Sequence, residues 1–150
     1  MKANQLSISP KALHKVIENY GLAIAVQELI IDVEKNKDIM FSYYHNISKE
    51  DLSRKKQVNT YRIIQECLTN IIKHSDATKV SIQLIKDKID LMLTIEDNGV
   101  GFDGPNLDFN AGLGLRSIKT RVFIMGGIFD IETRKERGTL ISVSIPLNND

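Results

Sequence analysis

Three sets of residues in this chain have types and spacings that could do chemistry. The first lies on a stretch with helical periodicity, where Asn59, Arg62, Glu66, Asn70 and Lys73 recur every three or four residues and so project from one side. Glu66 and Asn70 are one turn apart, placing a carboxylate beside an amide. Such an oxygen pair can hold a hydrated Mg²⁺, which keeps much of its water. Lys73, a turn further on, could meet a phosphate. The plain alternative for this stripe is the solvated face of an amphipathic helix. The second set is Asp97 and Thr139. Asp97 continues the alternation of Ile89, Leu91, Leu93 and Ile95, and Thr139 shares the parity of Ile141, Val143 and Ile145, so both point toward an apolar side. A carboxylate there needs a partner, because burying an unpaired charge is costly. Either the strand has ended and Asp97 caps a turn with Asn98-Gly99, or it is a deep acceptor for a ligand N–H. Two polar groups in an apolar wall are the usual make-up of a small-molecule site.

The third set is two glycine clusters, Asn98-Gly99-Val100-Gly101-Phe102-Asp103 after a strand and Gly112-Leu113-Gly114-Leu115-Arg116-Ser117 at a helix start. A glycine-rich helix start exposes N–H groups that suit phosphate. Neither cluster is a P-loop, since no Gly-Lys-Ser/Thr follows, and neither has the dinucleotide spacing. His14 and His45 have no metal-ligand spacing and default to surface or core roles, and Cys67 falls on an apolar helix face.

Positioning these groups requires a mixed set of elements. Lys11 to about Glu34 is mostly helical with a probable break at Gly21, and Ile39–Tyr44 predicts a short strand. Ser48–Lys56 is charged and loop-like, with Ser48 or Asn59 able to cap the helix over 58–74. The apolar face of that helix is Val58, Tyr61, Ile64, Cys67, Leu68, Ile71 and Ile72. Residues 79–86 and 89–97 predict a hairpin turning at Asp87-Lys88. Residues 113–125 predict a second helix, closed by Gly126-Gly127, and 128–134 and 139–147 two further strands. The sum is an α/β (α+β) two-layer sandwich, a mixed and largely antiparallel sheet of four or five strands with helices on one face.

Composition narrows the field. At 150 residues, 42% hydrophobic and 26% charged, the chain can build one core, which argues against a disordered or fibrous chain. Twenty basic against 19 acidic residues argue against nucleic acid as a partner. The polar start MKANQLSISP is no signal peptide, and the run Leu22–Val26 is too short to span a bilayer. With a lone cysteine excluding an intrachain disulfide, a cytoplasmic chain without membrane contact is expected.

Four segments in order carry a resemblance. Glu66-Cys-Leu-Thr-Asn70-Ile-Ile-Lys73-His74-Ser75 resembles the N box of the histidine-kinase ATP-binding domain, and Asp97-Asn98-Gly99-Val100-Gly101-Phe102 its first glycine box. Gly112-Leu113-Gly114-Leu115 resembles the second glycine box, and Arg137-Gly138-Thr139 the closing Gly-Thr element. The continuation Arg116–Val122 is similar to the sensor kinases related to the nitrate and membrane-fluidity sensors. The match spans roughly residues 55–147.

The resemblance implies a Bergerat (GHKL) fold that binds ATP with Mg²⁺. By position, Asn70 would ligate Mg²⁺, with Glu66 and Lys73 near the water and phosphates as the other catalytic residues, and His74 beside the phosphates. Asp97 would accept from the adenine amino group, with Gly99 in the same box and Gly101 letting the base approach. Gly112, Leu113, Gly114 and Leu115 would line the phosphates and hinge a short lid, about Asp103 to Ala111, and Thr139 would support Asp97. No phosphoacceptor box is present, since His14 is followed by Lys15 and His45 by Asn46. Residues 1–34 resemble the end of a dimerisation hairpin and its exit helix, and 35–150 the catalytic domain. The chain is expected to bind ATP as a monomer without phosphorylating itself. Its parent would transfer the γ-phosphate to a histidine of a helical domain and serve a response regulator; whether that parent is anchored in the inner membrane stays open. Two alternatives remain at this point: an anti-sigma-factor-type serine kinase with Glu66 as base, and a non-catalytic nucleotide-binding docking module.

Overall fold

The alternation of apolar residues that places Asp97 and Thr139 on one side also dictates how the strands pair. In a computed structural model, which describes residues 7–101 and 114–147, the chain runs through helices α1 (Pro10–Tyr20) and α2 (Leu22–Asn36), strand β1 (Met40–His45) and helix α3 (Arg54–His74). It continues through strands β2 (Lys79–Lys86) and β3 (Asp90–Asp97), helix α4 (Leu115–Ile124), and strands β4 (Ile128–Arg134) and β5 (Gly138–Pro146). The strand order is β1-β2-β3-β5-β4. β1 pairs with β2 in parallel, across the α3 crossover, and the other pairs are antiparallel.

The register sets the site. Tyr43, Ile82, Ile95, Ile141 and Ile131 stand opposite one another across the five strands, as do His45, Leu84, Leu93, Val143 and Phe129. The next row, toward the end of the sheet, is Phe41, Val80, Asp97, Thr139 and Thr133. Ile82, Leu84, Leu91, Leu93, Val143 and Ile145 are fully buried and share one core with the inward faces of all four helices. Each such side chain contributes about 1.5–3 kcal/mol by leaving water. The polar row thus ends an apolar wall. Ile89, expected inside the strand, is exposed, because Asp87 Oδ1 accepts from the N–H groups of Ile89 and Asp90 and holds both in the turn.

Helix α3 begins earlier than the apolar pattern indicates. Its N-cap is Ser53, whose hydroxyl accepts from the Lys56 N–H at 3.2 Å. This corrects the expectation of Ser48 or Asn59 as cap and of a loop through Lys56. The first turn was hidden because its buried residues are polar. Lys56 is 1% exposed and donates to the Pro146 carbonyl at the end of β5. Gln57 accepts from the Leu22 N–H at 2.9 Å, one of the orphan donors that opens α2, and donates to the carbonyls of Lys49 (3.1 Å) and Leu52 (3.0 Å). Lys49 in turn caps α1, its ammonium donating to Glu18 O at 3.0 Å. One amide therefore ties the α1–α2 junction to α3. Gln57→Ala orphans three backbone groups in a largely buried setting. We expect it to cost about 2–3 kcal/mol, read as a lowered urea midpoint at unchanged slope.

Among the described residues, no helix is long and apolar enough to cross a membrane.

Candidate functional site

The polar row opens into a cavity between α3 and the β3–β5–β4 part of the sheet. Its walls are Cys67, Asn70, Ile71 and His74 of α3 and its C-cap Ser75, Ile95 and Asp97 of β3, Gly101, Leu115 of α4, Ile131 of β4, and Thr139 and Ile141 of β5. Asp97 forms one end. Its side chain faces the core and is buried, and Oδ1 accepts from the Gly99 N–H at 2.7 Å. It caps the turn while its side chain stays buried at the end of the cavity, so the strand end and the inward direction coincide in one residue. Burial pushes the Asp97 carboxyl above the ordinary carboxylate value; the Gly99 bond pulls the other way, and neighbouring Glu96 adds to the rise. Thr139 stands directly opposite on β5, buried, with its hydroxyl 2.9 Å from that of Thr133.

The loop after β3 is held against the end of α3. Asn98 accepts from the Thr78 and Lys79 N–H groups at 2.9 Å each and donates to the Thr78 hydroxyl. The Val100 N–H donates to the Ser75 carbonyl at 2.7 Å, and the Glu136 N–H to the Val100 carbonyl. Gly101 has φ +67°, and a Cβ there would collide with the Arg134 carbonyl. The close approach this glycine permits within the protein is therefore of loop to β4–β5 turn.

The polar stripe of α3 is engaged rather than simply solvated. Asn59 accepts from Arg121 of α4 at 2.8 Å, and Arg62 donates to Gln65 at 2.9 Å and to the Ile8 carbonyl at 3.2 Å. Gly114, at φ +73°, leads into α4 with its backbone so close to the Glu66 carboxylate that a Cβ would collide with Oε2. Only Lys73, at the far end of the stripe, is exposed.

Known proteins place this arrangement. The family model for histidine kinase-, DNA gyrase B- and HSP90-like ATPases matches residues 55–149. The chain belongs to this ATPase family. Helices α1 and α2 and strand β1 lie outside the matched region, which takes in α3 from Lys55 onward and every later element. Over its full length the chain is 31% identical to the sensor protein VraS of Staphylococcus epidermidis and 30% to that of Staphylococcus aureus. It spans 41% of the length of these relatives. The ATPase fold also matches the histidine kinase domain of the Erythrobacter litoralis EL346 blue-light-activated kinase. There the TM-score is 0.68 at 20% identity, over 84% of this chain and 61% of that one. The catalytic domain of histidine kinase ThkA gives 0.67 at 17% identity, over 84% and 90%. The expected two-layer sandwich and the ATP-binding domain of histidine-kinase type both stand.

Within the ATPase domain, Asn70, His74, Asp97, Gly101, Leu115 and Thr139 come together on one cavity. Glu66, Lys73, Gly99 and Gly114 are not among its walls: Glu66 and Gly114 meet beside it, Gly99 lies behind Asp97, and Lys73 faces outward. Gly112 and Leu113, with the expected lid, lie outside the described residues. The site reading missed Ile95, Ile131 and Ile141, although strand parity places Ile95 with Asp97 and Ile141 with Thr139. It also missed Cys67 and Ile71, which sit one helical turn from Asn70 and His74 respectively or adjacent to them. Burial raises the Cys67 thiol, and the charges of Glu66 and Asp97 add to this, so it is an inert wall.

Proposed function

We propose that this chain is the catalytic part of a two-component sensor histidine kinase of the nitrate- and membrane-fluidity-sensor group. Its parent transfers the ATP γ-phosphate to a histidine on a helical domain. The observation that carries this reading is the cavity itself, with the Asp97–Thr139 pair at one end and Asn70 and His74 on α3 along its wall. An adenine amino group fits the first end, since Asp97 is a buried acceptor. The donors on α3 fit a Mg²⁺ that keeps most of its water: Asn70 supplies an amide oxygen and Glu66, one turn back, a carboxylate.

When bound, ATP supplies the phosphoryl group and Mg²⁺ neutralises its charge. The chain's own residues position. Asp97 and Thr139 fix the base, and Gly99 and Gly101 let the loop close behind it. Asn70 orients the metal end, and Glu66 lies beside the water and phosphates. Lys73, His74 and Gly112–Leu115 complete the phosphate end. Residues 1–34 lead from the helical phosphoacceptor domain, which with a response regulator is the partner of the parent protein. The chain alone binds ATP and does not phosphorylate itself.

Calorimetry with an ATP analogue, with and without Mg²⁺, tests this. Wild type is expected to bind more tightly with Mg²⁺, and Asn70→Ala to lose that gain while keeping metal-free binding. Equal losses in both conditions would remove Asn70 from the metal site.

A further inference from the structure

We propose that Asn59 and Arg121 are positioning residues: the hydrogen bond between them holds α4 in register on α3 and so sets the phosphate end of the ATP site. The inference rests on the ATP-site reading and deepens it. Neither residue is among the walls of the cavity, so both act through the helix.

Helices α3 and α4 meet along a polar seam. Gly114, at the head of α4, lies against the Glu66 carboxylate. Two turns further along α4, Arg121 donates from Nη1 to Asn59 Oδ1 at 2.8 Å. Asn59 stands two turns before Glu66 on α3. The two contacts therefore have the same spacing on two antiparallel helices, about 10 Å at 1.5 Å per residue. The neighbouring pair agrees with this register: the Thr60 hydroxyl donates to the sulfur of Met125, the C-cap of α4, at 3.7 Å. One contact would leave α4 free to slide or swing, and two spaced contacts stop both. The buried side chains of α4 are Leu115, Ile118 and Val122. Apolar burial is non-directional, so these set how deep α4 lies more than its register.

The Asn59 amide is oriented for this bond. Its Nδ2 donates to the Lys55 carbonyl at 3.0 Å, which turns Oδ1 toward Arg121. Arg121 is half-buried; burial and the Arg62 charge lower its guanidinium, and the Glu66 charge opposes them. A charge so placed needs a hydrogen-bond acceptor.

Register matters because the head of α4 belongs to the site. Gly114 makes no side-chain cap bond, so the first-turn N–H groups of α4 suit phosphate oxygens. Leu115 is a wall of the cavity. A slip of one residue would carry both about 1.5 Å, and a misplacement of about 1 Å can cost on the order of 100-fold in a positioned reaction. The base end stands on β3 and β5 and does not move with α4.

The test is calorimetric titration of the full chain with a non-hydrolysable ATP analogue and Mg²⁺, and with AMP by displacement. Asn59→Leu and Arg121→Met are each expected to weaken the analogue about tenfold, and AMP by less than about twofold. The double variant should bind no more weakly than either single, because both remove one bond. Asn59→Asp keeps the acceptor for Arg121 and should retain wild-type affinity. Should Arg121→Met not fold, Asn59→Leu against Asn59→Asp decides alone. Unchanged affinity in Asn59→Leu, an equal loss for AMP, or additive losses in the double variant overturns the inference. So does a loss in Arg121→Met beside a neutral Asn59→Leu, which would put Arg121 on the phosphates itself. Wild type that binds neither nucleotide overturns the ATP-site reading and this inference with it.

Discussion

Asp97→Asn is expected to weaken binding of an ATP analogue about 10- to 100-fold, the loss that follows when a charged acceptor is removed from a buried hydrogen bond. The amide keeps the size of the carboxylate but turns one acceptor into a donor. The same change should leave the unliganded fold as stable as wild type or more so. Burial raises the Asp97 carboxyl, so the folded chain holds that proton more tightly than the unfolded chain does. Such a group supports the fold at low pH, and its contribution is lost as pH rises through the raised value. At neutral pH the ionised carboxylate therefore costs stability, and the neutral amide removes that cost. Binding has the opposite sign. The amino group of the base needs the ionised acceptor, so wild-type affinity should fall on acidification toward the raised value, and Asp97→Asn should be flat there. Calorimetry across pH, paired with thermal melts, reads both effects. Unchanged affinity in the variant would remove Asp97 from the base site.

Gly101→Ala is expected to be the most damaging single-methyl change in the loop. The residue has φ +67°, where an L side chain is strained by about 1–2 kcal/mol. Its Cβ would also collide with the Arg134 carbonyl and lie 2.9 Å from that of Gly138. Both obstacles are backbone, so no rotamer change relieves them, and overpacking adds a further 1–3 kcal/mol or so. Relief requires moving the loop off the β4–β5 turn, which breaks the hydrogen bond from Glu136 N–H to Val100 O and widens the wall that Thr139 completes. A total of about 2–5 kcal/mol should appear as a lowered denaturation midpoint, together with lost nucleotide binding. Val100→Ala next door is the control: Val100 is 41% exposed, and its truncation should stay within about 0.5 kcal/mol. Wild-type stability in Gly101→Ala would mean that this loop is not locked against the turn.

These two residues also mark what could be read without coordinates. Alternation along 91–97 and 139–145 was enough to turn Asp97 and Thr139 inward, because side-chain direction in a strand has a period of two and is set by the nearest neighbours alone. The order of the N box, the glycine boxes and Gly138-Thr139 was enough for the family. Helix α3 was legible where its buried face is apolar and illegible where it is polar. Lys56, Gln57 and Thr60 are buried although their types read as surface, since what makes burial tolerable is a partner elsewhere in the chain. For Lys56 that partner is Pro146, 90 residues away, and for Gln57 it is the start of α2. The same holds for Arg121 on Asn59, for Gly114 against Glu66 and for the hydroxyl of Thr133 on that of Thr139. Local periodicity decides which way a side chain points. Which donor it meets there is decided only when distant segments pack, and the polarity of this cavity depends on that second step.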